Sequence, residues 1–513
     1  MAYKTFAAID VGSTDVTMKI YEITAKKGYR QLDYVSNIIE LGSGTYANGY
    51  ISQKSVEKLC DILNRFSQKM REYGTTEYRA YATSALREAK NKMMVLDQLK
   101  LRTGIKVEIL GNSEHRFLMY KGLAVKTENF EKIVEKNTAI VDIGGGSIQI
   151  SLMNNQKLTA TQNISIGALR VRDRLKSFRV NVERLERVME EYIANEIDAF
   201  KRYYMGEKAL KNIIAIGDEI TSLIRIVPEL GIKDHFDESQ LNAAFEKLIS
   251  RNPSDLAAEY KIPYERATLL LPAAMTYGIF LRQSKADLIW TPNVDLCDGI
   301  IVDEMEKTKK LTFHRNFTDD IRSSVQQIAK RYYCNKDHNI NVSKIADMIF
   351  EKTKNIHGLK EKERLQLEIS AILHDCGKFI NLNQASDNGY TIIQSTEIIG
   401  LSQKEREEIA NIVKYNSIPL PDYQELQGKI GDCNYMTIAK LVAILKVANA
   451  MDRSHKQKAN AYHIVVKDKK LVITIDTLND LTLERGLFDD KADFFEQVYG
   501  IKPVLKQKGA HGI

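Results

Sequence analysis

Apolar and polar positions change period several times along this chain, and the first runs are short and alternating. Phe6 to Ile23 reads FAAIDVGSTDVTMKIYEI, and Thr138 to Met153 reads TAIVDIGGGSIQISLM. Each places an apolar run, an aspartate, a glycine turn with serine, and a second alternating run in the same order. Alternation on both sides of a glycine turn predicts a β-hairpin with the aspartate at the end of its first strand. Between the two hairpins, Val56, Leu59, Ile62, Leu63 and Phe66 recur at helical spacing, and YRAYATSALREAKN predicts a short strand followed by a helix. After the second hairpin, Val188, Met189, Tyr192, Ile193, Ile197 and Phe200 mark one face of a long amphipathic helix, and NIIAIGDEIT predicts another strand and turn.

From about Thr308 the texture becomes helix after helix, including ADMIFEKT, LQLEISAILHDCGKF and IAKLVAILKVANAMDRS. The last segment, AYHIVVKDKKLVITID, returns to alternation across a KDKK turn. The expected organisation is two α/β lobes over residues 1–128 and 129–307, an all-α domain over 308–457, and a small α/β segment over 458–513.

The repeated Asp-x-Gly hairpin is the first pointer to chemistry. Successive backbone N–H groups in such a turn form a concavity that takes an anion, and glycine lets a phosphate approach closely. Neither turn continues into Gly-Lys-Ser/Thr and a helix, which argues against a P-loop. A strand rather than a helix follows the glycines, which argues against a dinucleotide fold. Two matched turns imply two related lobes facing one cleft.

Composition narrows the picture only slightly. Lysine and arginine number 74 against 67 acids in 513 residues, a surplus of seven that mildly favours anionic partners and is too small to argue for nucleic acid. The five cysteines are scattered, without CxxC or zinc-ligand spacing, and fit a reducing cytoplasm. The longest apolar stretch, Ala267 to Leu281, is broken by Pro272, Thr276 and Gly278 and falls short of the ~20 residues that a spanning helix needs. The first residues show no signal-peptide pattern. A cytoplasmic protein with no membrane partner is expected.

Six blocks now point one way: AAIDVGST, YATSALREAKN, EILGNSEHRFLMYKG, IVDIGGGS, ERATLLLPAAMTYGIF and LHDCGK. In order and spacing they resemble the exopolyphosphatase and guanosine pentaphosphate phosphohydrolase (Ppx/GppA) family. The resemblance implies two actin-like, ribonuclease H-like lobes followed by an HD-type helical domain. It also implies metal-assisted cleavage of terminal phosphoanhydride bonds in polyphosphate or a guanosine polyphosphate, with Mg²⁺ as cofactor, and a homodimer. On this reading Gly12, Ser13, Thr14, Gly144, Gly145, Gly146, Ser147, Gly217 and Thr221 hold phosphate, and Arg87 is the phosphate-contacting arginine. Asp10 and Asp142 stand near the metal, where burial beside an anion makes an unpaired acid expensive without a cation.

The chain also departs from the family pattern. Two glutamates to which the family assigns metal binding or water activation fall at His115 and Gln149. A neutral amide cannot take a proton from water, so His115 or the adjacent Glu114 is expected to help activate it. The Gly-x-Ser-Gly-Thr turn becomes IGDEIT, with Asp218 and Glu219 inserted, and Cys297 replaces a basic residue in LCDGII. In the helical domain, His374, Asp375 and Asp452 occupy the positions of an HD metal dyad and its final aspartate, although a structural dyad, a cap or a buried hydrogen-bonded pair, is expected ahead of a metal site. Asn341, Asn388 and Asn416 stand where further histidines are usual, and His338 lies one helical turn from Asn341. The expected function is therefore a phosphohydrolase, with a degenerate polyphosphate- or nucleotide-binding sensor as the competing expectation.

Overall fold

The computed structural model describes residues 4–24, 28–176, 182–228, 234–308 and 315–509. The chain divides into two compact units, Met1–Asp320 and Ile321–Ile513.

The first unit carries two sheets of matching topology. In the first lobe, β1 (Lys4–Val11), β2 (Asp15–Thr24), β3 (Gly28–Ile38), β4 (Glu77–Ala82) and β5 (Glu108–Ile109) assemble in the order β3-β2-β1-β4-β5. In the second, β6 (Thr138–Ile143), β7 (Ile148–Asn154), β8 (Lys157–Ile164), β9 (Asn212–Ile216), β10 (His235–Phe236) and β11 (Leu288–Trp290) run β10-β11-β9-β6-β7-β8. Each lobe has a three-stranded antiparallel meander with parallel strands added beside its first strand. This is the expected ribonuclease H-like arrangement of an actin-like lobe. The registers match too, because Asp10 pairs with Thr17 across the first hairpin and Asp142 with Gln149 across the second.

The strands form because their β-branched and apolar residues pack on both faces. Ile9, Val11, Val16, Met18 and Ile20 are buried with Leu59, Leu63 and Phe66 of helix Gln53–Glu72. Val141, Ile143, Ile148 and Ile150 are buried with Ile193 and Ile197 and with residues of helix Tyr264–Ser284, such as Leu270 and Tyr277. The lobes thus have separate cores, and the polar ends of β1 and β6 are left to the cleft.

One local expectation is corrected. After β9 the chain does not make a turn like the other two but enters helix Asp218–Arg225. Gly217 takes φ of 111°, which side-chain-bearing residues rarely adopt, and the acids Asp218 and Glu219 then suit the positive end of the helix dipole.

In the second unit, helices Lys336–His357, Glu361–Leu373, Gln403–Ser417 and Tyr435–Ala450 are followed by β12 (Ala461–Lys467), β13 (Lys470–Asp476) and β14 (Lys502–Lys508). The KDKK turn joins β12 and β13 as an antiparallel hairpin, with Asp468 and Lys469 both left-handed, and β14 adds in parallel. Leu471, Ile473 and Ile475 of β13 enter the same core as Leu441, Val442 and Ile444. Among the described residues no helix is long and apolar enough to cross a membrane.

Candidate active site

The two glycine turns close in the same way, with Gly12 N donating to Asp15 O at 2.8 Å and Gly144 N to Ser147 O at 3.0 Å. They also nest against each other across the cleft. A Cβ added to Gly145 would lie 2.8 Å from Thr14 Cγ2, and one on Gly146 would collide with the Tyr46 hydroxyl. Tyr46 completes a triangle of hydroxyls, 2.7 Å from Ser13 Oγ and 3.0 Å from Ser84 Oγ, with the two serines 2.8 Å apart. Arg170 stacks over the Tyr46 ring and donates to Gly146 O at 2.8 Å, so lobe II grips lobe I beside the turns.

A cavity of about 110 Å³ opens between the turns. The structure brings to it Asp10, Gly12, Ser13 and Thr14 from the first hairpin and Asp142, Gly144, Gly145, Ser147 and Gln149 from the second. Arg87, His115 and Gly217 also line it. Three expected members stand elsewhere. Gly146 is packed under Tyr46, and Thr221 lines a neighbouring cavity, its hydroxyl 3.3 Å from Gly217 O. Glu114 turns back to cap helix Asn112–Lys126, accepting from Gly111 N at 2.9 Å, because a step of one residue rotates a helical side chain by ~100°.

Sequence reading missed how many acids converge here: Asp15, Asp218, Glu219 and Asp295 also line the cavity. Burial, reinforced by the charges of Asp295, Asp218, Asp15 and Asp142, raises the Asp10 carboxyl well above its usual range. Burial pushes Asp142 up to about 7 against the pull of Arg116, and Glu219 up to about 8 against Arg266. Arg266 holds the cluster together, donating to Asp15 and, at 3.2 Å, to Asp218. It belongs to the ERATLLLPAAMTYGIF block, but nothing local in that block announces its partners.

These residues fit a hard divalent cation. Carboxylate oxygens are its preferred ligands, and Asp10 Oδ1 is buried without a hydrogen bond from any described residue. Such uncompensated buried charge is costly.

At the two positions where glutamates were expected, the side chains are bonded to each other. The Gln149 amide faces Nδ1 of His115. An amide nitrogen only donates, so Nδ1 accepts and the ring proton sits on Nε2. Burial, with Arg87 and Arg116 nearby, lowers the His115 pKa to about 3. The imidazole is neutral, and in this arrangement its Nδ1 lone pair is occupied by the Gln149 amide.

Beyond Gly217 and Asp218 lies a second cavity of about 440 Å³, lined by Lys19, Lys126, Arg225, Lys261 and Arg266 among others. Lys19 pairs there with Asp295 at 2.7 Å and with Asp298 at 3.0 Å. Cys297 is buried with its thiol 3.4 Å from Ala8 O, and burial raises its pKa well above the ordinary value, which makes it a packing residue.

The second unit gathers its own polar cluster. His338 occupies the place beside the dyad, its Nδ1 2.9 Å from Asp452 Oδ2, while Asn341 bonds Tyr462 instead. His374 Nδ1 lies 2.8 Å from Ala371 O, and the two Nε2 atoms face each other at 3.2 Å. His338, Asp375 and His455 offer ligand atoms within 4.8 Å of one another. His455, in the left-handed region at φ 56°, was not foreseen and stacks on His338 at 3.6 Å. Asp452 is shared between His338 and Gln457.

Comparison with known proteins agrees with this architecture. Residues 20–308 match the Ppx/GppA phosphatase family, and residues 321–491 match Ppx/GppA phosphatase, domain III. The guanosine-5'-triphosphate,3'-diphosphate pyrophosphatase of Photobacterium profundum is 21% identical over 478 residues, covering 92% of this chain and 91% of the relative. The crystal structure of an exopolyphosphatase from Cytophaga hutchinsonii superposes with a TM-score of 0.52 at 20% identity, over 60% of this chain and 100% of the other. With the second hairpin, the helices before it and most of the second unit inside the matched stretches, which together span more than half of the sequence, the chain belongs to the Ppx/GppA phosphatase family.

Proposed function

We propose that the first unit releases terminal phosphate from inorganic polyphosphate or from a guanosine pentaphosphate. The observation that carries this reading is the pair of glycine turns facing each other across a cavity that also holds Asp10, Asp142 and Arg87. Backbone N–H groups of the turns, the Ser13 and Ser147 hydroxyls and the Arg87 guanidinium hold the phosphoryl oxygens and orient the scissile bond. Arg87 is braced for this by its bond to Leu110 O at 2.8 Å. Asp10 and Asp142 would hold Mg²⁺, which spreads the negative charge of the phosphoryl group when bound. A homodimer is proposed from the family resemblance, and a cytoplasmic location from the scattered cysteines. Phosphate release from polyphosphate with Mg²⁺ tests the reading, and a rate no higher than that of D142N rejects it.

A second reading is a sensor that binds the polyanion without cleaving it. It is favoured by the His115–Gln149 pair, which leaves neither expected position able to accept a proton. Calorimetry showing tight polyphosphate binding with no turnover supports the sensor.

For the second unit we propose a metal site. With the other ring nitrogen of each committed, to Asp452 and to Ala371 O, the facing Nε2 atoms of His338 and His374 each present a lone pair. Two lone pairs in contact repel unless a proton or cation lies between them, and a ring nitrogen backed by a carboxylate is a common metal-ligand arrangement. Elemental analysis of the purified chain and of H374A tests it, and equal metal content in both rejects it.

A further inference from the structure

The cavity presents several groups able to accept a proton, and most are already committed. Asp15 and Asp218 are bonded to Arg266, and Asp295 is paired with Lys19 at 2.7 Å. His115 has its lone pair on Gln149. Asp10 and Asp142 are the carboxylates assigned to the cation.

Glu219 remains. It is 3% exposed and lines the cavity, and its Oε1 accepts no hydrogen bond from any described residue. The nearest cation, Arg266 Nη1, stands 3.9 Å away, beyond hydrogen-bond reach. Its other oxygen is close to the end of β6, since a Cβ placed on Gly217 would lie 3.7 Å from Glu219 Oε2 and 3.4 Å from Asp142 Oδ1. Gly217 permits this by its φ of 111°, which starts helix Asp218–Arg225 at the mouth of the second glycine turn.

We propose that Glu219 is the carboxylate that takes the proton of the attacking water, in place of the glutamates that positions 115 and 149 lack. The assignment rests on the hydrolase reading. As the water oxygen forms its bond to the terminal phosphorus, its proton passes to Glu219 Oε1. The bridging P–O bond breaks with its electron pair leaving on the shortened chain, and the proton on Glu219 returns to solvent with the released phosphate. An acid between two phosphate-binding turns opposes anion entry, and this role accounts for its presence there. A base positioned in this way is worth about 10²–10⁴-fold in rate.

The test uses the full chain with polyphosphate and Mg²⁺ at about pH 9, where Glu219, which burial pushes up to about 8, is ionised. E219Q keeps the shape and removes the base. It is expected to lower kcat by about 10²–10⁴-fold with KM and Mg²⁺ affinity unchanged, and added formate is expected to restore part of the rate to E219A. If E219Q does not fold, E219D keeps the charge and withdraws the oxygen, and it is expected to lower kcat at constant KM. A parent that hydrolyses polyphosphate while E219Q keeps its kcat overturns the assignment alone. A parent that releases no phosphate overturns the hydrolase reading and the assignment with it.

Discussion

Gln149 Nε2 donates to Nδ1 of His115, tying the second hairpin to the helix that follows β5. Gln149 is buried, and its amide nitrogen and the His115 ring nitrogen satisfy each other, while Gln149 Oε1 is buried without a partner among the described residues. The pair replaces two charges by one neutral hydrogen bond, a stable solution in a cavity already crowded with acids. It also moves proton chemistry away from this wall of the cleft.

If that exchange is what separates this chain from a glutamate-bearing cleft, the chemistry should be transferable back. In the E219Q background, H115E together with Q149E is expected to recover phosphate release by one to several orders of magnitude, the range general-base help supplies. Each single change should recover less than the pair, because the two groups act on one transition state. Phosphate release measured on the four chains decides this. A folded triple variant as slow as E219Q would mean that the wall no longer reaches the reacting phosphate.

The His115 pKa gives a pH prediction with a definite sign. Its folded value of about 3 lies below the ordinary 6.5, so between those values the unfolded chain binds a proton that the native chain refuses. Its stabilising contribution is therefore fully present above pH 6.5 and is lost as pH falls toward 3, at about 1.4 kcal/mol per unit. H115Q should lose less stability than the parent between pH 6.5 and 4. Raised carboxyls such as Asp142 act in the opposite sense, so the comparison of parent with variant in urea unfolding is the informative quantity. Parallel stability curves would contradict the buried, neutral state of this ring.

Much of the site was legible because its carriers are local. Period-two alternation with glycine placed both hairpins, and the aspartate before each turn had to stand at the cleft end of its strand. What was illegible is carried by contacts between distant segments. Asp15 and Arg266 are paired across 251 positions, and His115 meets Gln149 only because a helix of one lobe packs against a strand of the other. Glu219 read as an intruder in a phosphate turn, because the helix that begins at Gly217 was not anticipated. His455 reaches the second unit's cluster through a left-handed backbone that no periodicity signals.

Arg266 is the cluster's internal counter-charge, and removing it should be severe. R266M leaves Asp15 and Asp218 facing each other with Glu219 behind them, and breaking a buried pair in this way costs about 3–5 kcal/mol. The double variant D15N/R266M should recover part of that loss, since it removes one of the stranded charges. Thermal or denaturant unfolding of the parent, D15N, R266M and the double variant measures it. Additive losses would mean that the Asp15 bond contributes little to holding Arg266 in place.

Tyr46 offers the most direct test of how the two phosphate turns are held in register. Its hydroxyl bonds both Ser13 of the first turn and Ser84 near Arg87 and abuts Gly146 of the second turn, while its ring carries the Arg170 guanidinium. Y46F deletes the hydroxyl, the atom nearest Gly146, and keeps the ring, so the stacking of Arg170 is preserved. The two serines remain bonded to each other, but Ser13 loses the partner that fixes its rotamer when it turns toward a phosphoryl oxygen. One net hydrogen bond is worth about 0.5–1.5 kcal/mol, which corresponds to a fall of about 2- to 10-fold in kcat/KM for polyphosphate. Y46A, which also empties the space under Gly146, should lose substantially more in both stability and rate. If Y46F matches the parent in kinetics while Y46A fails, the ring alone sets the register, and the hydroxyl triangle is a consequence of the fold with no part in holding phosphate.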